Sequence, residues 1–475
     1  MMNNIDRFSV DLPTLRAVVS KAMASGGDWC DLYFEESSYF DLMLRDGEVS
    51  SGGHHMDYGC GIRVLKGEKT GYAYAESTDR KALMTAAEAA SAIASENISA
   101  KGPDISAGVK AAASPAPQYY PSLLDWRECR AAQFVPFLRK LDSEIRRREA
   151  RTCKVIAVLS YCTSEILMYN SLGELVSDTR PIGSISLQAI FTSGGQSCTN
   201  NVSRSLRCGA EMIDDALLED LAARAVAGID AQFEARRPKG GKMPVVMGAG
   251  ASGILLHEAM GHAFEADFIR KGQSIFSGRL GQRICRSGIN IVDDGTIPAN
   301  RGACNYDDEG VPGQKTYMVT DGILTSYLHD RISAAYFGVS PTGNGRRESF
   351  RYNPIPRMRA TYMESGCDGS AEDLIASVRK GIYVDQFSNG QVKIGEGDFT
   401  FYVKSGRLIE NGRLTAPIKD INIIGNGPEA LADIRGVASD LKIDEGTWTC
   451  GKEQSVPVSC GIPSVLIGGL TVGGE

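Results

Sequence analysis

His257, Glu258 and His262 stand within eleven residues, HEAMGHAFEAD (257–267), of a chain that has only five histidines. Two imidazoles and a carboxylate at fixed spacing are what a hydrolytic zinc site needs: two ligands, and a base to take a proton from the metal's water. In the familiar H-E-x-x-H pattern the histidines are four apart and stack on one helix face. Here they are five apart, H-E-x-x-x-H, which puts them roughly 140° apart around a regular helix. A π-type turn, with one extra residue, restores the fit and often marks functional sites. Gly261 is the residue most tolerant of such a distortion, so the spacing predicts an irregular helix at Met260–His262. The alternative is two unrelated histidines on a surface helix.

Two histidines leave zinc short of a third protein ligand. His329 follows a strand-like run and suits an ordinary polar position equally well. Cys450, in WTCGK between Gly446 and Gly451, could lie on a tight loop against another segment, and Cys460 in VPVSCGIPS competes with it. A thiolate is a good zinc ligand and is deprotonated by the metal. From the residues alone, each cysteine is also an ordinary small apolar core residue.

The elements that must position the histidines precede them. Met243–Met247 reads as a short apolar strand and Gly248–Ser252 as a small-residue turn before the helix. Gly248, Gly250 and Gly253 form G-x-G-x-x-G between strand and helix, the dinucleotide fingerprint. That reading requires an acidic residue about 20 positions on, at the end of a second parallel strand. The acids present, Glu265 and Asp267, instead extend the histidine segment. These glycines are expected to let backbone pass close to something, such as a bound chain.

Composition narrows the class. A chain of 475 residues should hold two or three domains. A net charge of −7 argues against a nucleic-acid surface, which needs clustered Lys and Arg. The one basic run, Arg146-Arg147-Arg148 with Arg151, sits among Glu144 and Glu149 as a solvated helix face would. Twelve cysteines without a C-x-x-C pair point to reduced thiols. The charged start MMNNIDRFSVDLPTL lacks a signal peptide's apolar core, and no run of 18 apolar residues occurs. A soluble cytoplasmic protein is expected.

The pattern predicts an α+β protein: two small N-terminal α/β units with antiparallel sheets, then a large, mainly antiparallel β C-terminal domain carrying the zinc-binding helix. The first unit, 1–98, opens with an amphipathic helix at Leu12–Ala24. Strands follow at Trp29–Glu35 and Phe40–Arg45, then after Asp46-Gly47, and around Lys66-Gly67, before an alanine-rich helix. His54 and His55, adjacent and therefore pointing to opposite sides of an extended chain, are expected in a polar loop. Residues 99–122 read as a linker. The second unit, 123–238, has helices at each end and strands at Lys154–Tyr161, Glu165–Asn170, Glu174–Asp178 and Ser184–Thr192. From 239 to 475, Asp321-Gly322, Ser405-Gly406 and Asn411-Gly412 mark successive hairpins.

The segments HEAMGHAFEAD at 257–267, QSVPV at 454–458 and LTVGG at 470–474, with the spacing from Arg63 to Gly71, resemble the TldD/PmbA family of metalloproteases over nearly the whole chain. The H-E-x-x-x-H motif resembles its TldD branch, since the PmbA branch lacks it. The resemblance implies zinc held by His257, His262 and Cys450, the cysteine upstream of the S-V-P-V segment, with Glu258 as general base. It also implies unfolded polypeptides or short peptides as substrates. It further implies a dimer, either a heterodimer with a PmbA-type partner or a homodimer. An arginine or tyrosine within 346–362 is a place to seek an oxyanion partner. The rival readings are a non-catalytic peptide-binding or gyrase-modulating subunit with a structural metal, and a zinc amidase for a small substrate.

Overall fold

The computed structural model describes residues 5–95, 118–393 and 396–473, so most of the linker expected over 99–122 lies outside the described residues. Six strands form one antiparallel sheet: β1 (Trp29–Arg45), β2 (Glu48–Lys66), β3 (Lys69–Ala75), β4 (Thr152–Asn170), β5 (Leu175–Ser193) and β6 (Gln196–Leu206). Their order is β3-β2-β1-β4-β5-β6, so the strands of both N-terminal units are continuous through the β1–β4 pairing. Stretches expected as pairs of short strands are single long ones here. The polar residues at the gaps between those expected strands face each other across the sheet. Glu36, Ser37 and Ser38 pair with Glu165, Ser164 and Thr163, and the buried Ser37 hydroxyl lies 2.7 Å from Ser164 Oγ and donates to Glu35 Oε1 at 2.6 Å. A satisfied cross-strand polar ladder does not interrupt a sheet.

Side-chain alternation divides the sheet's labour. The even residues of β1 carry the helices. Leu32 and Phe34 pack with α1 (Leu12–Ala22) and α2 (Arg80–Ser95), and Leu42 and Leu44 with α3 (Val135–Arg148) and α4 (Asp215–Val226). The odd residues face the C-terminal domain. Buried Asp31 accepts from Arg63 Nε at 2.7 Å, Arg63 Nη1 donates to Glu309 Oε1 at 2.7 Å, and Glu35 Oε2 accepts from Phe350 N–H at 2.8 Å. Arg180 of β5 is paired with Asp308. His54 and His55 are not in a loop: they lie on β2 opposite Phe40 and Tyr39. His54 Nε2 is 3.0 Å from Ser38 Oγ, and His55 stacks on Tyr39 with centroids 4.5 Å apart.

The C-terminal domain combines two sheets. Strand β7 (Gly241–Met247) pairs with Lys380–Val392 and Val465–Gly473. Lys380–Val392 also pairs with Asp398–Glu410, which pairs with Ile421–Asn426, which pairs with Val465–Gly473, closing a five-stranded barrel. Ser405-Gly406 makes no turn: it lies inside Asp398–Glu410, where a Cβ on Gly406 would meet Tyr383 O at 2.4 Å. Asp46-Gly47, Asp321-Gly322 and Asn411-Gly412 do turn, each with both residues at positive φ. The second sheet runs Ile323–Leu324, Lys315–Thr320, Ile291–Asp294, Ala360–Met363, Ser459–Ile462, Lys442–Asp444. Among the described residues, no helix is long and apolar enough to cross a membrane.

The G-x-G-x-x-G glycines serve the chain's own packing. Gly250 has φ +95°, and a Cβ on Gly253 would stand 2.6 Å from the backbone N of Gly461 in the neighbouring strand. Backbone cannot yield as a side-chain tip can. Gly253→Ala is therefore expected to lower stability by about 3 kcal/mol, measured by urea denaturation; an unchanged midpoint would contradict the close approach.

Candidate metal centre

After β7 the chain runs through a short α-helix, Gly253–Leu256, a π turn, His257–Gly261, and a 3-10 turn, His262–Phe264. The irregularity begins three residues before the predicted Met260–His262. The His262 N–H donates to His257 O, so the widened i→i+5 bond joins the two histidines directly. Gly261 has ordinary helical angles, φ −57° and ψ −48°. It is needed for a different reason: a Cβ there would lie 2.1 Å from Met358 Sδ. Leu255, Leu256, Met260 and Phe264 anchor the segment in a core shared with barrel residues Val384, Phe399 and Phe401.

The π turn places the imidazoles 5.2 Å apart between centroids, at 80° to each other. Cys450 reaches them from the hairpin formed by Thr449–Lys452 and Gln454–Pro457. Its Sγ is 3.2 Å from His257 Nε2 and 3.2 Å from His262 Nε2. All three residues are buried, and they are the one group of three or more possible ligands that converges among the described residues. Burial opposes ionisation of the thiol, but His257 and His262 outweigh it and bring Cys450 down to about 5. Burial likewise opposes a charged His262, but Glu265 and Cys450 outweigh it and raise it to about 10. Two imidazole nitrogens and a thiolate are borderline-soft donors suited to zinc. The buried His257 Nδ1 has no hydrogen-bond partner among the described residues.

Sequence reasoning missed the groups that hold these donors. Glu265, one helical turn past His262, accepts from its Nδ1 at 2.9 Å. With a metal bound, that bond would hold His262 in the neutral tautomer whose Nε2 lone pair is free for the ion. Burial would raise Glu265, but Lys452 and His262 overcome it and hold the carboxyl at about 2. Lys452, two residues past Cys450 and on the same side of its strand, donates to Asp267 Oδ1 at 2.7 Å and to Glu265 Oε2 at 3.1 Å. The i, i+3 and i, i+2 spacings were visible signals. Their meaning depended on the two segments meeting. Lys452→Met would leave Glu265 buried beside the centre without its nearest cation. We expect a stability loss of about 3–5 kcal/mol and metal affinity weakened on the order of 10–100-fold, read by urea denaturation and competitive chelation.

Buried arginines clamp the hairpin through its carbonyls. Arg357 donates to Cys450 O at 2.6 Å and Gln454 O at 2.8 Å, Arg346 to Pro457 O at 2.7 Å, and Arg301 to Trp448 O at 2.8 Å. Arg359 donates to Gly343 O and Arg347 to Asp308 O. Arg346, Arg347, Arg357 and Arg359 are thus engaged with the protein's own backbone, whereas Arg351 pairs with the carboxylates of Asp57 and Glu76.

The other sequence candidates stand apart. His329 is buried between the Tyr327 and Phe337 rings, its Nδ1 3.3 Å from Ser333 Oγ, and burial pushes it down to about 4. Cys460 lies in Ser459–Ile462, paired with Thr361 and Asp444, and burial with nearby Asp444 and Glu258 pushes its thiol well above the usual range. Glu258 is half-buried on the π turn, and its carboxylate makes no hydrogen bond among the described residues.

The PmbA/TldA metallopeptidase domain 1 matches residues 30–94, the central domain 125–229 and the C-terminal domain 240–474. The chain belongs to the PmbA/TldA metallopeptidase family. It is 39% identical to the metalloprotease TldD homolog of Haemophilus influenzae, over 94% of this chain and 93% of that one. It is 32% identical to a metalloprotease of Methanothermobacter thermautotrophicus, over 94% and 96%. The zinc metalloprotease TldD homolog of Saccharolobus solfataricus is 36% identical over 51% of this chain and 54% of that one. Two solved structures share the fold. TldE from Thermococcus kodakarensis has TM-score 0.76 and 20% identity, over 97% of this chain and all of the other. A Thermotoga maritima chain described as a candidate modulator of a DNA gyrase has TM-score 0.79 and 21% identity, over 97% and 99%.

Proposed function

We propose that this chain is a zinc-dependent peptidase of TldD type that hydrolyses unfolded polypeptides or short peptides. The observation that carries the reading is the convergence of His257 Nε2, His262 Nε2 and Cys450 Sγ, with Glu258 on the same turn. When bound by these three donors, zinc supplies Lewis acidity toward a peptide carbonyl and acidifies water toward neutrality. Glu258 accepts the water's proton and delivers it to the leaving amine. Glu265 keeps His262 in the ligating tautomer, and Arg357 holds Cys450 by its carbonyl. The names of the metalloprotease relatives support peptide hydrolysis, and one of those names supports zinc.

A three-donor set also weighs against the regulatory reading, in which a structural zinc is closed by four protein ligands. His329 and Cys460, the residues that could have closed it, are outside the cluster. A cytoplasmic setting agrees with twelve free cysteines. A dimer, with a PmbA-type partner or a second copy, is part of the same proposal.

The test joins metal content to turnover. One zinc per chain is expected by elemental analysis. Cleavage of an unfolded peptide should cease after chelation and return on zinc addition. Cleavage that persists with the metal removed would sink the assignment.

A further inference from the structure

A cavity of about 340 Å³ lies on the seam between the central domain and the barrel, and none of its lining residues belongs to the metal centre. One wall comes from β6, α4 and the helix Ile229–Glu234; the other comes from Lys380–Val392, Asp398–Glu410 and the segment to Lys419. Its size falls at the lower end of small-molecule sites. Its charge runs against that of the chain. Arg224, Lys404, Arg407 and Lys419 line it with one carboxylate, Asp385, although the whole chain carries a net charge of −7.

How each cation is already satisfied singles out Lys404. Arg224 pairs with Asp220 at 3.1 Å, Lys419 donates to Gln232 O at 3.1 Å, and Arg407 donates to Thr415 O at 3.4 Å. Asp385, the natural counter-ion, accepts from Ser405 Oγ at 3.1 Å. The Lys404 ammonium makes no hydrogen bond or close ion pair among the described residues, Asp385 acting on it only from a longer distance. Lys404 is half-buried, and burial draws its pKa down by more than nearby Asp385 and Cys198 raise it. A partly desolvated cation in a cationic cavity gains most from an anion brought in from outside.

We infer that this seam cavity is a binding site for a small anion bearing a carboxylate or phosphate group, with Lys404 as its principal contact. The anion would touch both walls and so tie the central domain to the barrel. Arg236 and Lys419 already join those walls by backbone hydrogen bonds at one edge, from Arg236 N to Pro417 O and from Lys419 N to Arg236 O.

Calorimetric titration of the full metal-loaded chain tests the site, with inorganic phosphate in one arm and succinate in the other, at constant ionic strength. Saturable binding of phosphate alone assigns a phosphate-bearing ligand, of succinate alone a carboxylate, and of both a general anion site. Lys404→Met is expected to weaken that binding on the order of tenfold or more, Lys404→Arg to retain most of it, and neither to change basal peptide cleavage. Should Lys404→Met fail to fold, Arg407→Gln, exposed at the cavity, is expected to weaken binding in the same direction. Absence of saturable binding by either anion up to about 10 mM, or wild-type affinity in every variant that folds, would overturn the assignment.

Discussion

Replacing Glu258 with alanine is expected to leave zinc content unchanged and to lower peptide cleavage by about 10²–10⁴-fold. The two glutamates near the centre are in opposite situations. Glu265 is buried and held by His262 and Lys452, which commits it to its charge and its place. Glu258 is half-buried, its carboxylate has no hydrogen-bond partner among the described residues, and it sits on the turn that carries both histidines. A base must be free to take up a proton and give it back, and only Glu258 has that freedom. Its loss removes no donor from the cluster, so metal retention and catalytic loss should separate cleanly. Turnover that stays at the wild-type level would eliminate Glu258 as the base.

The second large effect is expected from the cysteines, compared as a pair. Cys450→Ala should strip the chain of zinc and of peptide cleavage together; Cys460→Ala should keep both. Changing groups that merely orient a ligand typically costs 10–100-fold in metal affinity, so deleting one donor of three should exceed about 100-fold. The buried Cys460 sits on a strand of the second sheet, its thiol held neutral by burial and neighbouring carboxylates. Its replacement should cost only packing, on the order of 1 kcal/mol. Atomic emission and competitive chelation on both variants decide the matter. Zinc retained by Cys450→Ala and lost by Cys460→Ala would reassign the ligand.

Much of the local structure was readable because it depends on neighbours in the chain. The Asp-Gly and Asn-Gly turns fall where positive φ is required at both positions. Ser405-Gly406 misled because a glycine can also mark close passage of another strand, here the carbonyl of Tyr383. The polar stretches around Ser37 and Ser164 fell between expected strands, since each lacks its partner until β1 and β4 are set side by side. Gly261 was singled out for backbone freedom, whereas the structure assigns it to making room for Met358.

The sequence by itself determined the donor types, the five-residue spacing that demands a widened turn, and the α+β class, because each follows from covalent order and local backbone preference. The residues alone left Cys450 and Cys460 open and the family resemblance pointed to Cys450, but only the tertiary structure brings that sulfur against the two imidazoles. It also decided that Glu265 and Lys452 steady the centre, and that three arginines hold the cysteine hairpin by its carbonyls. A thiol nearly two hundred positions away in the chain is brought to His257 and His262 by sheet register and burial. Those are sums over many weak long-range contacts, which no short window of residues encodes.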